Sequence, residues 1–170
     1  MMREIIRFAW GISSLGDFVV AMSDKGIVAL EFSEMHMAME DALRVRFPES
    51  DLERCQDELA DVISVVADLI DDPTKDCDLP LDLRGTPYEI QVWHMLREIP
   101  AGQTTNYGTL AAKLGSRDPR NVTAAIANNP VAVIVPCHRV IKKDGSISGY
   151  RWGVRRKRAL LTREQRVAVH

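Results

Sequence analysis

Apolar positions recur in two rhythms along this chain. In the first third they come as short β-branched and aromatic runs over 5–10, 17–22 and 26–32. Gly11, Gly16 and Asp24-Lys25-Gly26 break these runs, which predict two or three strands. From residue 34 the rhythm lengthens. Met35, Met37, Met39, Leu43 and Val45 predict a helix over 34–47, its methionine stripe read as core. Leu59, Val62, Ile63, Val66 and Leu69 fall on one side of a clearer amphipathic helix over 52–70, stopped by Asp71-Asp72-Pro73. An acidic connector over 75–83, containing Pro80, is the expected boundary between a domain at 1–80 and another at 81–170.

The second part starts with Thr86-Pro87-Tyr88-Glu89, which places Thr at an N-cap, Pro first in the helix and Glu third, a capping box. Ile90, Val92, Trp93, Leu96 and Ile99 give this helix a buried stripe up to Pro100. Asn106 is placed to cap a short helix over 107–114 that ends at Gly115, and a second runs over 120–127. Two short helices across the polar turn Ser116-Arg117-Asp118-Pro119 form a helix-turn-helix, with Arg117 and Arg120 opening the second. Many helix pairs share this layout without binding DNA. The run Val131-Ala132-Val133-Ile134-Val135 predicts a buried strand, and Asp144-Gly145 a hairpin turn. A glycine-punctuated loop over 148–153 leads to a last helix. Its opening Arg155-Arg156-Lys157-Arg158 holds more cations than backbone contact needs, so some of them solvate the helix.

Composition narrows the class. A chain of 170 residues, 46% hydrophobic and 27% charged, reads as one ordinary globular domain or two small ones. No apolar run approaches the roughly 18 residues of a membrane span. Glu4 and Arg7 make the N-terminal stretch a poor signal peptide. Cys55, Cys77 and Cys137 form no CxxC pair, which fits a reducing, cytoplasmic setting. The four histidines, His36, His94, His138 and His170, show no zinc-ligand spacing, and neither metal nor cofactor is expected. The net charge of −2 conceals an asymmetry. Residues 1–83 hold 7 Lys+Arg against 19 Asp+Glu, a net of −12, and residues 84–170 hold 15 against 5, a net of +10. A basic half of this size suits a polyanion, with the acidic half turned away from it. A solvated charged surface is the other reading.

The candidate chemistry lies in Pro136-Cys137-His138-Arg139-Val140. An imidazole and a guanidinium beside a thiol predict a pKa lowered from about 8.5 toward neutrality, and hence a thiolate nucleophile. A core cysteine that happens to adjoin charge fits the pentapeptide equally well.

The second half resembles the O6-alkylguanine-DNA alkyltransferases, and within them the repair domain of the bacterial adaptive-response protein. The resemblance rests on Gly85-Thr86-Pro87, Val92-Trp93, Ile99-Pro100, Tyr107, Arg120, Asn129-Pro130, the run 133–140, Ser148-Gly149-Tyr150-Arg151-Trp152-Gly153-Val154 and Glu164. The first half is similar only in layout and carries no cysteine-rich zinc segment, which implies a stand-alone repair domain. The implied fold is α/β (α+β): a ribonuclease-H-like sheet with helices, then a helical, winged-helix-like domain carrying the helix-turn-helix and the active-site loop.

The implied partner is duplex DNA containing O6-alkylguanine, with O4-alkylthymine a further candidate lesion and a monomer the default state. Cys137 would accept the alkyl group once and irreversibly. His138 would be its base, reached through a water, and Glu164 would orient the imidazole. Tyr107 would crowd the flanking phosphate and donate to the departing guanine. Arg120 would fill the stack when the base flips out, and Asn129 would hinge the recognition helix to the cysteine turn. Ala124, Ala125 and Ala127 would permit close approach to the minor groove. Backbone groups of Cys137, Val140 and Arg151 would read the guanine edge, with Tyr150 in the pocket wall. Trp152 stands where some members carry glycine, which predicts a narrowed pocket that takes methyl well and bulky groups poorly. Three rivals differ in what they explain. A non-catalytic lesion reader of this family carries tryptophan at the cysteine position. A helix-turn-helix regulator leaves the cysteine, histidine and glutamate unexplained, and a cysteine hydrolase leaves the basic half unexplained.

Overall fold

Alternation and turn glycines produce an antiparallel meander of β1 (Glu4–Ser13), β2 (Gly16–Met22) and β3 (Ile27–Phe32). This is a computed structural model, which describes residues 3–168 apart from Arg117 and Ser148, with side chains as far as Gln165. The expected contribution of Arg117 to the helix-turn-helix, and of Ser148 to the loop, lies outside the described residues. Helix α1 (His36–Arg46) is followed by β4 (Ser50–Arg54), parallel to β1, so the sheet order is β3-β2-β1-β4. The sequence pattern predicts helix from residue 52, where β4 actually runs. Leu52 is the single apolar position among Asp51, Glu53 and Arg54, a charged edge strand too short for its alternation to register. The helix α2 therefore spans only Ala60–Asp71.

The sheet separates two cores. On one face Leu43 and Phe47 join Ile6, Phe8, Trp10 and Val19. Met39 packs there too, but Met35 is 70% and Met37 82% exposed, so the methionine stripe is mostly surface rather than core. On the other face α2 sets Val66, Leu69 and Ile70 against Phe18 and Val20. Gly11 permits that approach, because a Cβ there would lie 2.4 Å from the Phe18 ring and 2.8 Å from Ile63. This core runs unbroken into the second half through Val92, Trp93, Leu110, Val122 and the segment 131–135.

The predicted capping box opens α3 (Pro87–Arg97). The Glu89 N–H donates to Thr86 Oγ1 (3.1 Å) and the Thr86 N–H to Glu89 Oε1 (3.0 Å). The strand β5 (Thr105–Asn106) leads into α4 (Tyr107–Lys113), where Asn106 accepts from the Thr109 N–H at 2.8 Å. Gly115, at φ +74°, turns the chain toward α5 (Pro119–Ala127), capped by Asp118. Trp93 Nε1 donates to Ala125 O at 2.8 Å and so ties α3 to α5. A Cβ on Gly85 would lie 2.5 Å from the Trp93 ring, which accounts for the glycine before the cap. The strand β6 (Val140–Ile141) pairs in parallel with β5, and α6 (Val154–Ala168) closes the chain. Asp144-Gly145 does turn, with the Lys142 N–H on Ser146 O at 3.0 Å. Because β6 pairs with β5, that turn closes no hairpin. The fold is mixed α+β, with six α-helices among the described residues.

Candidate active site

The apolar run before the cysteine is a folded turn, not the strand its composition predicts. Val131 makes one parallel bridge to Leu30 on the outer edge of β3: Leu30 N–H donates to Pro130 O (2.9 Å) and Ala132 N–H to Leu30 O (2.8 Å). Beyond it the chain doubles back. Val133 has φ +68°, and Ile134 N–H donates to Ala132 O at 2.7 Å, a γ-turn. Pro136, at φ −81° and ψ 62°, forms an inverse γ-turn closed by Cys137 N–H to Val135 O at 2.8 Å. A β-branched residue in the left-handed region costs on the order of 1–3 kcal/mol and persists only where its surroundings over-determine it. Here every residue of the run is buried. A short buried apolar run reads as a strand by composition alone, which is why the turn was hidden.

Asn129, fully buried, staples the turn. Its Nδ2 donates to Val135 O at 2.9 Å and to Cys137 Sγ at 3.2 Å, and its Oδ1 accepts from Val131 N–H at 2.9 Å. Cys137 opens a single 3₁₀ turn, Cys137–Arg139, and is 3% exposed. Burial pushes its thiol up to about 11, opposed by the Asn129 bond and by the nearby cations Lys157 and Arg151. The expectation of a lowered pKa is therefore reversed: at rest the group is a protonated thiol. The cations are present, but desolvation of the charged form outweighs them.

His138 is fully buried, and its Nε2 lies 2.8 Å from Glu164 Oε1. Burial holds this imidazole neutral by lowering its pKa, against the pull of Glu164. For Glu164, burial acts to raise the pKa, but bonds from His138 and Arg139 outweigh it and keep the carboxylate ionised. An ionised carboxylate only accepts, so Nε2 carries the proton and Nδ1 keeps its lone pair. Among the described residues that buried Nδ1 has no hydrogen-bond partner. Arg139 points away from the thiol. Its Nε donates to Glu164 Oε1 (2.8 Å), and its Nη1 and Nη2 to Ile99 O (2.6 Å) and Pro73 O (3.3 Å).

A cavity of about 440 Å³ opens on Cys137. Tyr107, Ala127, Tyr150 and Arg151 line it, together with Thr123, Ile126, Lys142 and Gly149. Ala124 and Ala127 lie on the exposed face of α5, whereas Ala125 is buried. Arg120 is 88% exposed at the start of α5, gripped by Asp118 at 2.8–3.0 Å. Two expected pocket residues sit elsewhere. Val140 is fully buried in β6, and Trp152 stands behind the wall, edge-on to Tyr150 at 5.2 Å. A tryptophan there cannot narrow the pocket directly; it backs the Tyr150 ring that does line it.

The family model described as 6-O-methylguanine DNA methyltransferase, DNA binding domain, matches residues 87–166. The inducible methylated-DNA--protein-cysteine methyltransferase of Bacillus subtilis is 35% identical over 94% of this chain and 91% of that protein. This chain belongs to the methylated-DNA--protein-cysteine methyltransferase family. The bifunctional transcriptional activator/DNA repair enzyme Ada of Escherichia coli is 39% identical over 94% of this chain, which spans only 45% of that protein. The crystal structure of Mycobacterium tuberculosis OGT in complex with DNA superposes with a TM-score of 0.75 at 30% identity, covering 94% of this chain and 93% of that one.

For a methyltransferase of this family, two buried cations take positions that their place in the sequence does not reveal. Lys157, one of the four cations over 155–158, is 1% exposed, with its Nζ 3.4 Å from Gly149 O. Burial lowers its pKa, and Cys137 opposes that. The signal was present: Lys157, Leu160 and Glu164 stand at i, i+3 and i+7, one face of a helix. Arg139 adjoins the thiol in sequence, but in space its bond to Glu164 defines its role. Among the described residues no cluster of three His, Cys, Asp or Glu side chains comes together as a metal site, and no helix is long and apolar enough to cross a membrane.

Proposed function

We infer that this chain repairs O6-alkylguanine in duplex DNA by moving the alkyl group onto its own Cys137. The observation that carries this reading is a buried thiol at the base of a cavity, beside an imidazole already polarised by an ionised carboxylate. The thiol must first lose its proton, and His138 Nδ1 holds the lone pair that takes it, directly or through a water. Glu164 stabilises the imidazolium so formed, the division of labour of a catalytic triad. The thiolate then attacks the alkyl carbon, an S–C bond forms and the C–O6 bond breaks. The Tyr107 hydroxyl donates a hydrogen bond to the departing guanine anion, which is protonated through solvent as the His138 imidazolium gives its proton back to solvent. The thioether product resists hydrolysis, so each molecule acts once.

Extrahelical delivery of the base costs a few kcal/mol, less at a damaged pair. Arg120, exposed at the tip of α5, enters the stack in its place, and the small Ala124 and Ala127 let α5 approach the minor groove. Arg151 presents backbone groups to the guanine edge, and Tyr150 forms the wall. We propose a monomer acting in the cytoplasm, consistent with three free thiols. We also propose the ribonuclease-H-like description for residues 1–80 and the winged-helix-like one for 81–170. The meander with a parallel fourth strand supports the first, and the helix-turn-helix beside β5 and β6 supports the second.

Counting repaired lesions tests the function. With excess duplex carrying one O6-methylguanine, repair should stop at one guanine per protein molecule, and Cys137→Ser should repair none. Continued turnover would contradict the reading, as would binding without loss of the methyl from DNA.

A further inference from the structure

Strand β3 is buried at every position and apolar at every position except one. Ile27, Val28, Ala29, Leu30 and Phe32 build the two cores, while Glu31, 2% exposed, places a carboxylate among them. A buried carboxylate is costly to desolvate and is kept only where it is paired. Glu31 pairs twice. Its Oε2 lies 2.8 Å from Arg46 Nη2 at the end of α1, and its Oε1 lies 2.9 Å from Arg151 Nη2. Arg151 spends its other terminal nitrogen on the Asn129 carbonyl, at 2.8 Å. Asn129 in turn donates to Cys137 Sγ and to Val135 O.

A continuous line of contacts thus runs from the sheet to the thiol. It is the second link between β3 and the cysteine turn, the first being the backbone bridge of the adjacent Leu30 to Val131. The two links act on different atoms. The bridge fixes where the turn starts, whereas the Glu31–Arg151 pair fixes the carbonyl of the residue that holds the sulfur. Resting on the alkyl-transfer reading above, we propose that Glu31 is a positioning residue for that reaction: it seats the Arg151 guanidinium against Asn129, and through it sets the Asn129 amide on Cys137. The sequence places Glu31 more than a hundred residues from the cysteine, in the acidic half, with nothing to suggest a part in the chemistry.

The physical consequence is specific. Arg151 deprived of Glu31 is a half-buried cation with one neutral acceptor. It is then drawn outward to solvent, and the Asn129 carbonyl loses its donor. The Asn129 amide is one of the groups that favours the thiolate, together with Lys157 and Arg151. Loosening it slows transfer and moves the onset of thiol reactivity to higher pH. Misplacement of a reacting group by about an ångström costs on the order of a hundredfold in rate, so a partial loosening should cost roughly tenfold.

The test compares wild type, Glu31→Gln, Arg46→Met, Arg151→Met and the Glu31→Gln/Arg151→Met double variant, each shown to be folded by circular dichroism at the assay temperature. Single-turnover transfer is measured with methylated duplex and with free O6-benzylguanine, and Cys137 alkylation by iodoacetamide is followed against pH. Glu31→Gln should slow transfer to both substrates roughly tenfold and shift the alkylation profile upward. Arg46→Met removes the other partner of Glu31 and should stay within about twofold of wild type while losing comparable thermal stability. In the Arg151→Met background Glu31→Gln should add no further loss. Unchanged transfer in Glu31→Gln beside an active wild type overturns the proposal. So does equal slowing in Arg46→Met, an independent effect in the double variant, or a loss confined to duplex. A wild type that transfers nothing overturns the alkyl-transfer reading itself.

Discussion

Cys137, His138 and Glu164 form a resting set of neutral thiol, neutral imidazole and carboxylate, and the distribution of protons has consequences for pH. His138 has its folded pKa below its unfolded value of 6.5, so the unfolded chain binds that proton more readily. Its contribution to stability is full above about pH 6.5 and is lost as pH falls through that value toward the folded pKa. Glu164, held below 4.5, adds a second loss at lower pH, as the unfolded carboxyl takes a proton that the folded one resists. Urea unfolding between pH 8 and 4 should therefore show stability falling on acidification, with the first drop beginning near pH 6.5. His138→Gln should remove that first drop and leave the carboxylate one. A stability profile that rises on acidification would contradict the neutral-imidazole assignment. At this scale the sequence was informative about identity and misleading about state. The thiol, the imidazole and the carboxylate are visible as residues, whereas the raised thiol pKa depends on burial, which no local pattern records.

Elements whose signals are local were legible. The capping box at Thr86, the Asn106 cap and the Gly115 exit are written in three or four residues each, and all form as read. The strand β4 and the γ-turns before Cys137 were not, because their conformation is set by partners far along the chain: β1 for the first, β3 and Asn129 for the second. The same contrast separates two substitutions. Thr86→Ala removes a cap and should cost about 1 kcal/mol. Trp93→Ala empties a site that is 1% exposed and deletes the bond to Ala125, and should cost about 3–5 kcal/mol. Denaturant midpoints at constant m-value check both. Because Trp93 anchors α5, its loss should also weaken duplex binding, whereas Thr86→Ala should not. Equal effects on binding would mean that α5 is held by something else.

Over the whole molecule, the charge asymmetry serves two purposes. Part of the basic excess is spent on pairing with the acidic half. Arg84 pairs with Glu4 and Asp82, Arg151 with Glu31, and Arg156 with Glu34. Net charge along the sequence therefore overstates the surface offered to DNA. Exposed Lys142, at the rim of the cavity, is placed to meet a phosphate, and Arg156, bonded to Leu15 O at 2.7 Å, is not. In salt titrations of duplex binding, Lys142→Ala should flatten the slope of log K against log salt by about 0.9, and Arg156→Ala should leave it unchanged. The reverse result would put the DNA on another face.

The central claim is that Cys137 is a reagent consumed by the lesion. Intact-mass analysis with peptide mapping, after incubation with increasing amounts of O6-methylguanine duplex, tests it most directly. The account predicts one methyl group per protein, on Cys137 alone, reached at one equivalent of lesion and unchanged by further DNA. A methyl on Cys55 or Cys77, or an unmodified protein after complete repair of the DNA, would contradict it.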